Sequence, residues 1–433
     1  MAQFNKNTHQ YLDQAKTLFE TVMMADQYGN LVGPANPSGM AVDAFGRARV
    51  SQPVTLFDSF NRYQQNGGFA TSNTAGANTT YNVNTSTSLM NVSTTAGAKV
   101  IHETKRVFAY QPGKSLQILN TFVMNPPQTG LRQRVGYFGA NNGIFLEQAN
   151  NAVRFVLRSQ STGTVTDLPV EKADWNLDPL DGTGPSLKTL DLTKSQIFFT
   201  DIEWLGVGSV RCGFVIDGQL IHCHSFHHAN LLTDAYMTTA CLPIRYEIEN
   251  TATTAITSTL KRICSSVISE GGYEVRGRPR SAGQASANTL YDLTTAGTFY
   301  PVVSIRLKSD RLDAIAIPRN FNLLGIGNNT RLHYKLVQDA TISGGLWLSA
   351  GSDSAVEYNA NATSFTGGTI AYQGFIGITN QSTASATLDA GGTFKLQLER
   401  DSLAGTASTF TLLVAGAANG DDALGAIDWE EIT

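Results

Sequence analysis

Charge is scarce in this 433-residue chain. Asp, Glu, Lys and Arg make up 15% of it, well under the roughly 25% of an ordinary soluble domain. Lys+Arg 31 against Asp+Glu 35 leave a formal net charge of -4, so there is no global positive field to attract nucleic acid or anionic lipid. Cysteine is scarce too. Cys212, Cys223, Cys241 and Cys264 are too few to staple so long a chain, and synthesis in a cytoplasm would keep them reduced, with packing as their default role. No run approaches the roughly 20 apolar residues of a membrane helix, and Met1-Ala2-Gln3-Phe4-Asn5-Lys6 lacks the apolar stretch of a signal peptide. The expectation is a protein made in a cytoplasm and not inserted in a membrane. What the chain has instead is glycine, 40 residues of it, in a background of Thr, Ser and Asn that suits short strands and many turns.

The length implies two to four folding units. One segment reads as an amphipathic helix: from Thr8 to Met24, Leu12, Ala15, Phe19, Val22 and Met23 recur at spacings of three and four, with Asn7 or Thr8 as cap and Gly29 as stop. A lone amphipathic helix must dock on something, either its own domain or a larger assembly. In the second reading Leu12, Phe19, Val22 and Met23 form an assembly anchor. The prolines and glycines of residues 31–39 suggest an extended arm, so residues 1–60 are read as helix and anchoring arm.

Residues 61–268 carry strand and turn signals and read as a β-sandwich. Within them the polar, low-complexity stretch 72–99 is expected as a long loop or a pair of edge strands. Asp217-Gly218 between Val210–Ile216 and Gln219–Phe226 is a strong hairpin signal. Residues 269–290 read as a linker, and 291–433 as a second sandwich closed by Trp429 near the terminus. The fold class is therefore mainly β: an N-terminal amphipathic helix and extended arm, then two β-sandwich, jelly-roll-like domains.

Candidate chemistry is thin. A two-residue turn at Asp217-Gly218 would pair Cys212 with Cys223 and put His222 and His224 on the face opposite Cys223, with His227 and His228 close by. That supplies two ligands on one side, short of the three or four a zinc site needs, so no metal or other cofactor is expected; His222, His224 and Cys223 are the residues to check. Asp178 and Asp181 flank Pro179 and read as turn carboxylates, Glu270 and Glu274 fall in the expected linker, and no strand is read as carrying the closely spaced acids of a glycosidase. There is no Gly-x-Ser-x-Gly elbow, and Gly325-Ile326-Gly327-Asn328-Asn329 lacks the lysine of a phosphate loop. Arg276, Arg278 and Arg280 suit a linker or inter-subunit ion pairs. Trp175, Trp204, Trp347 and Trp429 suit sandwich cores, with sugar stacking as the alternative. The chain is read as having no enzymatic activity.

Several segments nonetheless form a recognisable set: Asp43-Ala44-Phe45-Gly46-Arg47-Ala48-Arg49-Val50-Ser51-Gln52-Pro53, Thr55-Leu56-Phe57-Asp58-Ser59, Val135-Gly136-Tyr137-Phe138, Asn142-Gly143-Ile144-Phe145, residues 204–214 and Ser269-Glu270-Gly271-Gly272-Tyr273. Together they resemble a group of tailed-bacteriophage virion proteins frequent among cyanophages. The likeness runs over residues 40–280, with an echo in Asp428-Trp429-Glu430-Glu431. It implies a structural part of the particle, of tail, baseplate, fibre or head-decoration type. Its partners would be other virion proteins, its own copies, a trimer being usual for fibres, and a host-surface glycan. Separately, the hairpin 215–221 is similar to the strand pair of concanavalin-like lectin domains.

Overall fold

The computed structural model describes residues 52–274, 276–326, 329–377 and 396–432, together with the backbone of Gln10–Leu12, Leu18–Glu20 and Ser385–Asp389. The chain divides into a unit of residues 1–52 and a unit of residues 53–433.

In the first unit the described residues differ from the expected helix. Gln10–Leu12 and Leu18–Glu20 form a short antiparallel ladder, with Tyr11 opposite Phe19 and Leu12 opposite Leu18. Aromatic residues suit a pleated pair as well as a helix face, and helical periodicity alone adds little stability to a segment this short. The rest of the predicted helix and the arm as far as Ser51 lie outside the described residues, whereas the last part of the expected arm, Val54–Ser59, is a strand paired with Ser258–Ser269 in the second unit. The proposed anchor also lies outside the described residues, except for the backbone of Leu12 and Phe19.

The second unit is built of antiparallel sheets. One has seven strands in the order Thr166–Glu171, Ala152–Ser159, Gly143–Ala149, Leu131–Phe138, Ile244–Asn250, Lys99–Thr104 and Phe69–Thr74. Facing it is a sheet in the order Gln219–Phe226, Val210–Ile216, Gln196–Ile202, Leu116–Val123, Ser258–Ser269, Thr87–Val92 and Asn78–Asn82, with Val54–Ser59 added beside Ser258–Ser269. The alternation of apolar residues along these strands sends one face of each inward. Val135, Tyr137, Ile144, Leu146, Ile118, Phe122 and Phe198 meet there. Phe155 stacks on Trp175 with ring centroids 4.1 Å apart, and Phe198 and Phe214 close the cluster. The polar stretch 72–99 joins this sandwich: Phe69–Thr74 edges one sheet and Asn78–Asn82 the other.

The core also holds a buried guanidinium. Arg262 donates to Ser59 Oγ at 2.6 Å and to Asn61 Oδ1 at 3.1 Å, and lies 3.7 Å from the Phe69 ring centroid. Burial brings it down to about 10. These bonds fasten the entering strand Val54–Ser59 and the turn after it to the sandwich.

A second sandwich follows. A six-stranded sheet runs Leu348–Ser349, Val356–Asn359, Tyr300–Leu307, Phe410–Gly416, Arg331–Gln338 and Thr369–Gly377. The sheet opposite it joins Arg278–Gly283, Asp421–Ile432, Ile315–Ile326 and Ser385–Asp389, with Tyr291–Leu293 also on Asp421–Ile432. Trp429 and Phe321 fill the space between them. Arg278–Gly283, inside the stretch read as linker, is thus a strand of this sandwich, held by Asp421–Ile432.

The two sandwiches are joined directly. Val107 and Ala109 of the first pack on Ile315 of the second. Arg400, almost fully buried, donates to the Thr104 carbonyl at 2.6 Å and pairs with Asp313 at 3.1 Å and Glu103 at 3.2 Å. Arg106 meets Glu399 at 2.8 Å.

Candidate functional site

The His/Cys cluster does not converge. The expected register holds from Ile216 opposite Gln219 to Phe214 opposite Ile221, and then shifts, so that Cys212 faces His224 and Cys223 becomes the extra residue of a bulge. The shift falls beside Gly213, where an added Cβ would meet the Ile221 carbonyl and come within 2.7 Å of the Phe199 ring. Each imidazole has its own structural partner. His222 meets Phe199 edge-on, His224 Nδ1 accepts the Asn176 N–H at 3.3 Å, and His227 Nδ1 sits 3.0 Å from Ser209 Oγ. His228 Nδ1 donates to the Gly208 carbonyl at 2.7 Å beneath Tyr236. Burial lowers the pKa of His222, His224 and His228 and raises the Cys212 and Cys223 thiols. Among the described residues no group of three or more His, Cys, Asp or Glu is placed to hold a metal ion.

The carboxylates considered from sequence are occupied locally. Asp178 accepts the N–H groups of Leu180 and Ser186 at 2.9 and 2.8 Å, and Asp181 accepts that of Thr183 at 2.8 Å. Glu270 accepts the Ser115 hydroxyl at 2.8 Å. Arg276 bonds Glu274, while Arg278 and Arg280 both hold Asp353 at 2.8 Å. Trp175 and Trp429 are buried in the two cores. Trp204 sits edge-on to Tyr110, and Trp347 lies under the Arg306 guanidinium, 4.0 Å from its ring centroid. A polar cleft of about 470 Å³, lined by Lys114, Ser115, Asp201, Glu203, Arg211 and His227, also holds its main charges as partners. Burial raises the pKa of Asp201 there, against the Arg211 guanidinium bonded to it.

One feature escaped sequence reasoning. The outer face of the seven-stranded sheet carries a row of alternating charge across five neighbouring strands: Glu171, Arg154, Glu147, Arg134 and Glu247. The successive ion pairs measure 3.4, 3.1, 2.6 and 3.4 Å. Arg245 extends the network from Glu247 at 2.8 Å to Glu103 at 3.1 Å. Aromatic rings lie among the cations, Phe145 under Arg134 and Arg158, and Phe138 under Arg245. Strand Ile244–Asn250 does place two acids on one face, Glu247 and Glu249, contrary to the sequence reading. Neither is free. Burial alone would raise the Glu247 carboxyl, but Arg245, Lys99 and Arg134 outweigh it and hold it down to about 2. A general acid needs the opposite shift. The signal in the sequence was the period-two recurrence of Arg and Glu within single strands, which identifies a charged face but not its partners.

The outer face of the six-stranded sheet is different. Arg331, His333 and Lys335 alternate along one strand and so share this face. The residues across from them are Gly377, Phe375 and Gln373 on one side, with Ala415 and Leu413 on the other, so no carboxylate stands opposite. No side-chain hydrogen bond or ion pair engages Arg331 or Lys335 among the described residues. Phe375 stacks on His333 at 4.2 Å with its ring 74% exposed. Phe299 meets His333 edge-on, and the Lys335 ammonium lies 3.9 Å from the Phe299 centroid. Gly374 makes this geometry possible, because a Cβ there would meet the Tyr334 hydroxyl at 2.5 Å. Part of the face is roofed by the hairpin Thr341–Ser343 and Ser364–Thr366, whose Ile342 and Phe365 pack on Val337 and Leu413. Among the described residues nothing else covers the aromatic and basic strip beyond that roof.

No protein-family model matches this chain, and no curated protein matches it. Among solved structures it is similar to a protein of unknown function from Shewanella oneidensis, at 12% identity and TM-score 0.34, over 52% of this chain and 91% of that one. Peanut lectin matches at 9% identity and TM-score 0.30, over 51% and 98%. A GH16 protein of a Bacteroides ovatus mixed-linkage glucan locus matches at 10% identity and TM-score 0.34, over 49% and 99%. Likenesses of this degree carry no argument about what the chain does.

Proposed function

We propose that this chain is a non-enzymatic structural component of a tailed-bacteriophage virion, of tail, baseplate, fibre or head-decoration type. In this reading it is made in the host cytoplasm and held to capsid, tail or baseplate proteins by residues 1–60, and it works as a homo-oligomer, a trimer being the form usual for fibres. The observation that supports it is the commitment of the chemical groups. Carboxylates such as Glu147, Glu247 and Asp178 are bound to arginines or turn amides, and the histidines of the 222–228 segment are held by packing or hydrogen bonds. A chain built this way does its work through surfaces. The test is deletion of residues 1–40 followed by assay of particle incorporation. Incorporation should be lost while the purified remainder stays folded; undiminished incorporation would refute the anchor.

A second reading is a receptor- or carbohydrate-binding module on the same particle, favoured by the exposed strip of Phe375, Lys335 and Arg331. Binding to glycans without turnover would support it over the glycan-degrading alternative.

A further inference from the structure

We infer that the open strip on the six-stranded sheet is a binding site for an acidic polysaccharide, one whose pyranose rings carry carboxylates. This inference rests on the carbohydrate-binding reading and names its ligand class. Elsewhere the described arginines are largely paired: Arg134, Arg154, Arg158, Arg245, Arg306, Arg319 and Arg400 all meet carboxylates. Among the described residues Arg331 and Lys335 meet none, on a chain where acids outnumber bases. Four residues of extended strand separate them, so their Cα atoms are roughly 13 Å apart on one face.

Between these cations stands a flat apolar platform. The Phe375 ring is held by stacking on His333, which is braced in turn by Phe299, so little side-chain freedom remains to be lost on binding. An exposed aromatic ring of this kind suits the C–H face of a sugar, while flanking cations suit carboxylates on the same chain. Gln373, exposed beside Phe375 on the same strand, adds a neutral donor and acceptor.

The charge pattern also argues against two other occupants. A second copy placed face to face would bring Arg331 and Lys335 opposite their own kind without a compensating acid. Single-stranded nucleic acid is bound by successive rings along a basic groove, and here one ring is exposed on a chain of net charge -4.

The test uses the purified full chain and three probes: polygalacturonate, the same polymer with its carboxylates methyl-esterified, and oligodeoxythymidine. Polygalacturonate should bind, its esterified form about tenfold more weakly, and added salt should weaken the acidic probe selectively. Phe375→Ala should weaken binding about tenfold and Lys335→Gln by roughly threefold, with unchanged thermal midpoints, whereas Lys194→Gln on the first sandwich should change nothing. Equal binding of both polymers would overturn the acidic specificity and leave the carbohydrate reading standing. Binding indifferent to Phe375 and Lys335 would overturn the site alone. Tighter binding of oligodeoxythymidine at the same residues would make the strip a nucleic-acid surface, and absence of binding to either polymer would defeat the site together with the reading beneath it.

Discussion

The two outward sheet faces use similar residue types to opposite ends. On the seven-stranded sheet Phe145 is fully buried beneath Arg134 and Arg158, and each of these arginines has a carboxylate. On the six-stranded sheet Phe375 stands in solvent and, among the described residues, the nearby cations Arg331 and Lys335 meet no acid. Aromatic rings and arginines do not by themselves make a binding face. The carboxylates on neighbouring strands decide it, because a cation already neutralised offers an incoming anion little.

The sharpest way to break this contrast is to unbalance the closed face. Arg134→Ala would leave Glu147 and Glu247 buried without their shared partner, and should cost about 3–5 kcal/mol in urea denaturation. Phe145→Ala, which removes a fully buried ring, should cost a similar ~3 kcal/mol or more. A loss under 1 kcal/mol in both would mean that this face is not structural.

Acid should act on the same network. The Glu247 carboxyl lies at about 2 in the folded chain against an ordinary 4.5. Its contribution is present above pH 4.5 and is lost as pH falls toward 2, about 3 kcal/mol in all. Denaturation midpoints measured across that window should fall in the native chain and flatten in Glu247→Gln. An unchanged slope in the variant would assign the acid sensitivity elsewhere.

The smallest effect is expected on the open face. Phe375→Ala should alter stability by no more than about 0.5 kcal/mol, because the ring buries little. A loss comparable with that of Phe145→Ala would show that the strip is part of the fold, which would remove the contrast between the faces.

Much of the fold was legible in residue order. The hairpin at Asp217-Gly218 forms in the expected register as far as Phe214 opposite Ile221, because an Asp-Gly turn and alternating apolar residues are local signals. The buried positions of Trp175 and Trp429 and the turn roles of Asp178 and Asp181 were legible for the same reason. The bulge at Cys223 was not, since it sits beside Gly213, where residues of two neighbouring strands crowd the backbone. The strand Arg278–Gly283 looked like a linker because its Pro and Gly are locally disruptive, and its partner lies far along the chain in Asp421–Ile432.

Composition and periodicity determined that this protein would be β-rich, turn-rich and low in charge, because strand alternation and turn chemistry are set by neighbours in sequence. Only the tertiary structure decided which charges cancel. The row from Glu171 to Glu247 draws on five strands, and the lack of an acid opposite Arg331 and Lys335 among the described residues depends on what sheet order places beside them. Coulombic pairing acts over a few ångströms in space, and sequence distance does not measure that.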